Sequence, residues 1–308
     1  MSTSGSSDYN LTGTYIIKEA LELIGVAGSG NPVSADDQAS CLRTLNVMIK
    51  AWQGEGIALW KSVEASLFPS YEGYSYSIGP TGDHCSDNAY KTEIASAASS
   101  GDGTITVDLD DNITNGDYIG IELDDKSLQW TTVNGVPAAN VVTLTDVLTD
   151  DVSINNHVYN YTSKIKRPIE IVEARGVSPS AYDTPLIIAS RDEYMRLSNK
   201  TSTGPPSQIY FNPLRTNAKI SVWPACNNVQ EYIKFTARIL IEDFDVATDD
   251  PDFPQEWLLA LTWNLAVLIA PKFGKKLDQL FVMNAAIFKQ NAKDFDHENT
   301  SIFLRAIL

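Results

Sequence analysis

Residues 34–60, SADDQASCLRTLNVMIKAWQGEGIALW, contain the change of pattern on which a reading of the fold turns. Ser34 followed by Asp37 has the spacing of a helix N-terminal capping box, in which a short polar side chain takes up orphan backbone N–H groups. Ala39, Leu42, Leu45, Ile49 and Trp52 then fall on one stripe at helical period, and Gly54 ends it. Beyond Glu55-Gly56 the helical spacing disappears. IALWKSVEASLF and YEGYSYSIG are rich in aromatic and β-branched residues and predict strands.

Upstream, Tyr15, Ile16, Ala20, Leu21 and Ile24 predict a shorter helix closed by Gly25, and the loop GSGNP joins it to the second as an antiparallel hairpin. Downstream, residues 85–164 form a distinct block. TITVDLDD, DYIGIELDD, SLQWTTVNG, NVVTLTDVL and HVYNYT are short alternating stretches separated by Asn-Gly and Asp-rich turns. From Asp102 to Asp151 there are eleven acids and one base, Lys126. Strand-like IKRPIEIVEARGV and PLIIAS follow, then a short helix capped by Ser190 and Glu193, then IYFNP, AKISVWP and EYIKFTARIL. Helical pattern returns with Leu258, Leu261, Leu265, Leu268 and Ile269, breaks at Pro271 and Gly274, and resumes from about Leu277 to Asp296. The segment NTSIFLRAIL comes last.

With helices at both ends and strands between, the expected fold class is α+β. An antiparallel helical bundle built from both chain termini would carry a β-rich region and an inserted small all-β domain. The expected domains are 1–84 plus 165–308, a helical domain with β region, and 85–164, the all-β insertion.

The 308 residues, 43% hydrophobic, suffice for a buried core. No run of about 18 apolar residues predicts a membrane span, and MSTSGSSDYN lacks the basic and apolar stretches of a secretory signal, so synthesis and folding in a cytoplasm are expected. Five Asn-X-Ser/Thr sequons are then chance occurrences. The three cysteines, Cys41, Cys85 and Cys226, are far apart and without a CxxC pair, which argues against a disulfide framework or zinc site. A net charge of -16, from 23 basic and 39 acidic residues, repels polyanions rather than wrapping them, although DNA can still slide past such a surface.

Chemistry-bearing patterns are sparse. His84, His157 and His297 sit among turn or polar residues and read as surface groups. Asp108, Asp110 and Asn112 start like a calcium loop, but Ile113 and Ile119 stand where that loop needs Gly and Glu. GVAGSG at 25–30 follows no strand and precedes no GK[ST], so it reads as an interhelical loop rather than a phosphate cradle. Glu55, Glu64 and Glu72 are close enough in sequence to keep a paired-carboxylate hydrolase open. No catalytic residue, metal ligand or cofactor is assigned. Ile302, Phe303, Leu304, Ile307 and Leu308 would expose an apolar patch unless they pack on their own domain or on a partner.

ALELIGVAGSGNPVSADDQASCLRTLNVMIKAWQGEGIALW resembles the opening of the podovirus tail accessory factors, also called packaged-DNA stabilisation or head-completion adaptor proteins. The resemblance rests on Leu23-Ile24-Gly25-Val26, Pro32, Leu45-Asn46 with Met48, Trp52, and Glu55-Gly56-Ile57. It continues in YSIGPTGD (76–83), KRPIEIVEAR (166–175), PLIIASRDEYMRLSNKTSTGPP (185–206), YFNP, Trp223-Pro224 and DFPQEWLLALTWNLAVLIAPKFG (252–274).

It implies a non-enzymatic virion protein of the bacteriophage head-tail junction, assembled in the host cytoplasm. About twelve copies would form a ring under the portal protein, retain packaged DNA that passes through the lumen without specific binding, and offer a platform to a downstream nozzle or fibre protein. By the same resemblance the portal interface is Phe295, Ile302, Phe303, Leu304, Arg305, Ile307 and Leu308, assisted by Lys272, Lys275 and Lys276. The β insertion has no counterpart in compact members. Two alternatives are a virion-borne cell-wall glycan hydrolase and a host-glycan binding module acting through that insertion.

Overall fold

The computed structural model describes residues 5–28, 30, 32–56, 59–180 and 182–296. The chain divides into two compact units, Met1–Lys61 with Ile241–Leu308, and Ser62–Leu240.

The first unit contains α1 (Gly13–Leu23), α2 (Ala35–Gly54), α4 (Leu258–Ile269) and α5 (Gln279–Phe295); α3 (Arg191–Met195) belongs to the second. Ser34 caps α2 by accepting from the Asp37 N–H. Ile16, Ile17 and Leu21 of α1, Leu45, Ile49 and Trp52 of α2, and Leu261, Leu265 and Ile269 of α4 share one core. α4 is apolar on nearly every side because α1, α2 and α5 all pack on it. A short 3-10 turn, Ala270–Phe273, ends at Gly274, whose φ of 65° is a left-handed conformation that favours glycine, and the chain reverses into α5.

The second unit is built of strands: β1 (Ser62–Leu67), β2 (Ser75–Ile78), β3 (Cys85–Ser86), β4 (Ala89–Ser96), β5 (Thr104–Val107), β6 (Tyr118–Glu122), β7 (Leu128–Thr132), β8 (Val141–Thr143), β9 (His157–Tyr161), β10 (Pro168–Val177), β11 (Asp183–Pro185), β12 (Ile187–Ala189), β13 (Gln208–Asn212), β14 (Ala218–Trp223) and β15 (Tyr232–Ile239). They form a five-stranded sheet in the order β11-β10-β15-β1-β3, a four-stranded sheet β12-β13-β14-β2, and a six-stranded sheet β7-β6-β9-β4-β5-β8. The first two enclose a common core. Ala65, Leu67, Phe235 and Ala237 come from one, and Ile78, Ile209, Ile220 and Val222 from the other. The six-stranded sheet curls into a half-barrel whose edge strands are tied by the Val133–Leu144 bridge, around Ile94, Ile105, Ile119, Ile121, Val142 and Val158. Gly120 faces Trp130 across β6 and β7, and a Cβ there would lie 2.7 Å from the indole, so this position admits only glycine without moving the ring.

The expected fold class is thereby corrected. The chain is mainly β, with three sheets and five short helices among the described residues; it is not a helical bundle built from both termini carrying a β region. The helices of both ends pack into the first unit, whereas Ser62–Leu240 is spent largely on strands whose partners lie far apart in sequence, as β1 with β15.

Candidate functional site

α5 is the least covered element of the first unit. Ala285 and Ala292 are its only fully buried residues. Its inner face meets α4 through Trp263, whose ring lies 4.5 Å from Phe281 and 5.2 Å from Phe288, and through a 2.9 Å bond from the Asn264 amide to the Ala285 carbonyl. Lys289 fixes it to α2, donating to Glu55 at 2.8 Å and lying over the Trp52 ring. Outward, Leu280, Met283 and Ile287 recur at i, i+3 and i+7, each 44–56% exposed, with Val282 beside them. Each of these half-exposed side chains leaves about half of the roughly 1.5–3 kcal/mol of full burial unclaimed, which makes the stripe a candidate contact surface.

The site residues expected from sequence do not form one patch. Phe295 is 72% exposed at the C-terminal end of α5. Lys272, Lys275 and Lys276 precede the other end, roughly 24 Å away along the helix axis. Two of these lysines are occupied within the unit: Lys272 donates to Thr44 at 2.6 Å and Lys275 to the Gly25 carbonyl at 3.0 Å. Ile302, Phe303, Leu304, Arg305, Ile307 and Leu308 lie outside the described residues. The α5 stripe escaped the sequence reading because the helix is apolar on several faces, and spacing alone does not say which face is covered.

The second unit contains the polar chemistry. Glu64 on β1 is clamped by Lys234 at 3.1 Å and by Arg175, and the hydrogen bond from Lys234, then that from Arg175, hold its carboxyl below the usual range against the opposing effect of burial. A carboxylate so held is a poor proton donor at neutral pH. Glu72 is exposed. Glu231 has its carboxyl raised by burial, but its cleft, lined by Pro205, Pro206, Cys226 and Tyr232 among others, brings no second carboxylate to it. Asp110 accepts from the Asn140 N–H and the Asn112 carbonyl accepts from Asn160, so both brace a loop of the half-barrel. No group of three or more His, Cys, Asp or Glu is placed to hold a metal among the described residues. In the 25–30 loop the N–H groups of Gly25, Val26 and Ala27 are spent on the Glu22 and Leu21 carbonyls, which close α1.

Two histidines read as surface groups are not. His157 is 6% exposed on β9, and His84 is half-buried, stacked 3.9 Å from Trp130 with its Nδ1 2.6 Å from the Tyr161 hydroxyl. His297 lies outside the described residues. The partners of His84 are far off in the chain, so neighbouring polar residues gave no sign of them.

Cys41, Cys85 and Cys226 are buried free thiols, and burial raises each above its ordinary pKa, Cys226 to about 12. In the native protein at pH 8 none of the three should react with a thiol reagent within minutes, and all three should react after unfolding. Rapid native labelling would show that a thiol is accessible.

No protein-family model matches this chain, and no curated protein matches it. The resemblance to tail accessory factors therefore rests on the quoted motifs alone.

Proposed function

We propose that the chain is a head-to-tail connector subunit: about twelve copies in a closed ring beneath a portal, holding packaged DNA and presenting a platform for the next tail protein. The observation that carries this reading is the exposed apolar face of α5. Ring wedges need such faces, because each copy buries one surface on its neighbour or on the portal, on the order of 800 Å² per partner in a stable contact. Leu280, Met283 and Ile287 supply a central apolar strip of the kind that dominates binding energy. The acidic balance supports a lumen through which DNA moves without adhering. The order of motifs along both ends of the chain supports the same class.

The test is mass photometry of this protein mixed with the portal protein from the same genome. The expected result is a mass step of about twelve copies. Met283→Asp with Ile287→Asp should weaken that association by at least about thirtyfold, since a charge would enter the apolar centre. If wild-type protein adds no mass to the portal, the connector reading is wrong. If the double variant binds as well as wild type, α5 is not the contact.

A further inference from the structure

The second unit carries a small polar cavity where β1 and β15 meet β4 and β9 of the half-barrel. Strand alternation builds the first side of it. Ala65, Leu67, Ile233 and Phe235 fill the core shared by the five- and four-stranded sheets. Glu64 and Ser66 of β1, and Tyr232 and Lys234 of β15, therefore turn to the opposite face of their sheet. Register sets Ser66 beside Lys234 on one side and beside Ser86 of β3 on the other. β4 and β9 bring Tyr90, Lys91 and Tyr159, the last two paired in register. Phe68, Tyr159 and Tyr232 contact one another with ring centroids 4.7–6.0 Å apart and give the cavity an aromatic base.

The chemistry of the lining narrows what fits. At about 160 Å³ the cavity is smaller than a site for a drug-sized ligand, which starts at roughly 300 Å³, so its occupant is one small ring. Two carboxylates, Glu64 and Asp87, are balanced by two ammonium groups, Lys91 and Lys234, and Glu64 already pairs with Lys234 at 3.1 Å. Such a lining favours neither an anion nor a cation. Asp87 and the hydroxyls of Ser66, Tyr90 and Tyr232 have no hydrogen-bond partner among the described residues. The cavity thus offers aromatic surface to C–H groups, and around it carboxylate, hydroxyl and ammonium groups that both accept and donate. A pyranose has the matching character, with C–H groups on its faces and hydroxyls round its edge. Glycosidic cleavage would need a carboxyl that keeps its proton, and Glu64, held ionised by Lys234 and Arg175, does not supply one, which favours binding over hydrolysis.

We propose that this cavity binds a single uncharged hexopyranose unit, with Tyr90 and Tyr232 against its ring and Asp87, Ser66 and Lys91 on its hydroxyls. Every residue invoked lies within Ser62–Leu240, so the site stands apart from the connector reading and from the α5 face.

Saturation-transfer difference NMR of the full chain with the methyl glycosides of glucose, galactose, mannose and N-acetylglucosamine tests it. At least one glycoside should receive saturation from the protein. Asp87→Ala should weaken its binding by at least about tenfold, as expected for a lost hydrogen bond to a charged group. Asp87 is exposed and bonded to no described residue, so the fold should survive the change. Tyr90→Ala should weaken the same glycoside, and Asp111→Ala, an exposed acid outside the cavity, should leave it unaltered. Absence of transfer to all four glycosides overturns the proposal. Transfer that survives both Asp87→Ala and Tyr90→Ala unchanged also overturns it, because the sugar would then sit elsewhere. Inorganic phosphate that binds where no glycoside does, followed by its phosphorus resonance, would show that the site selects an anion and sink the assignment.

Discussion

Replacing Trp257 by alanine lowers the stability of the helical unit by about 3–5 kcal/mol, the range for deleting a large aromatic side chain from a core. Trp257 is 1% exposed, and its ring lies 5.8 Å from Trp52, 5.5 Å from Trp60 and 5.9 Å from Phe253. These rings come from both ends of the chain, so the cavity would open where the two segments of the unit meet. Four of the six tryptophans, 52, 60, 257 and 263, belong to this unit, which makes indole fluorescence during urea unfolding a report on it in particular. The expected result is an earlier fluorescence transition in Trp257→Ala, with the β signal in far-UV dichroism moving by less than about 0.5 kcal/mol. Trp257→Phe should recover more than half of the loss. A cost under about 1 kcal/mol would mean that the aromatic cluster is not the core of this unit.

The same cluster shows why parts of the fold were legible. Ser34, the Leu45–Ile49–Trp52 stripe and Gly54 are local signals, and α2 spans Ala35–Gly54 where they place it. The Ser190–Glu193 capping box is formed in full at α3 for the same reason. Strands β6 and β7 were legible because apolar residues alternate on both sides of an Asp-rich turn. β4 left no comparable trace. It buries only Thr92 and Ile94, and a register shift between Ile94 and Ser96 breaks its alternation. The weight of β over α was misjudged because helix ends are written locally, whereas sheet order is written in pairings such as Val63 with Ala237. Those pairings join residues far apart in sequence, and nothing in either strand alone names its partner.

The exposed stripe on α5 and the buried histidines are two sides of that limit. Periodicity places Leu280, Met283 and Ile287 on one face but does not say whether the face is covered. Polarity near His84 suggests a solvated ring, yet Trp130 and Tyr161 come from the half-barrel to enclose it. In both cases the environment of the residue is made by distant chain, which its local pattern does not name.

Acid should unfold the β unit progressively as pH falls from about 6.5 toward 4, and His84 should be a principal cause. Burial, then repulsion from Lys164, pushes its ring from an ordinary 6.5 down to about 4. Because the folded-state value is depressed, the unfolded chain takes up the proton first. The stability contributed by the neutral ring is fully present above the unfolded value and lost as pH drops through the window between the two. Such a displacement corresponds to roughly 3 kcal/mol at most, less what solvent at the part-exposed ring screens. His157 acts in the same direction, its ring lowered by burial and Lys91 against the opposing pull of Glu122 and Glu93. Geometry explains why protonation is resisted at His84: the Trp130 face covers one side, Tyr161 holds Nδ1, and Lys164 lies over the adjacent Tyr118 ring. Urea unfolding at pH 7.5, 5.5 and 4 should therefore show a steep loss in wild type and a shallower one in His84→Gln, which keeps a polar partner for Tyr161 but cannot titrate. The variant should be less stable than wild type at pH 7.5, where the stacked ring is lost, and the two curves should converge near pH 4. Parallel curves would show that His84 does not carry the acid response.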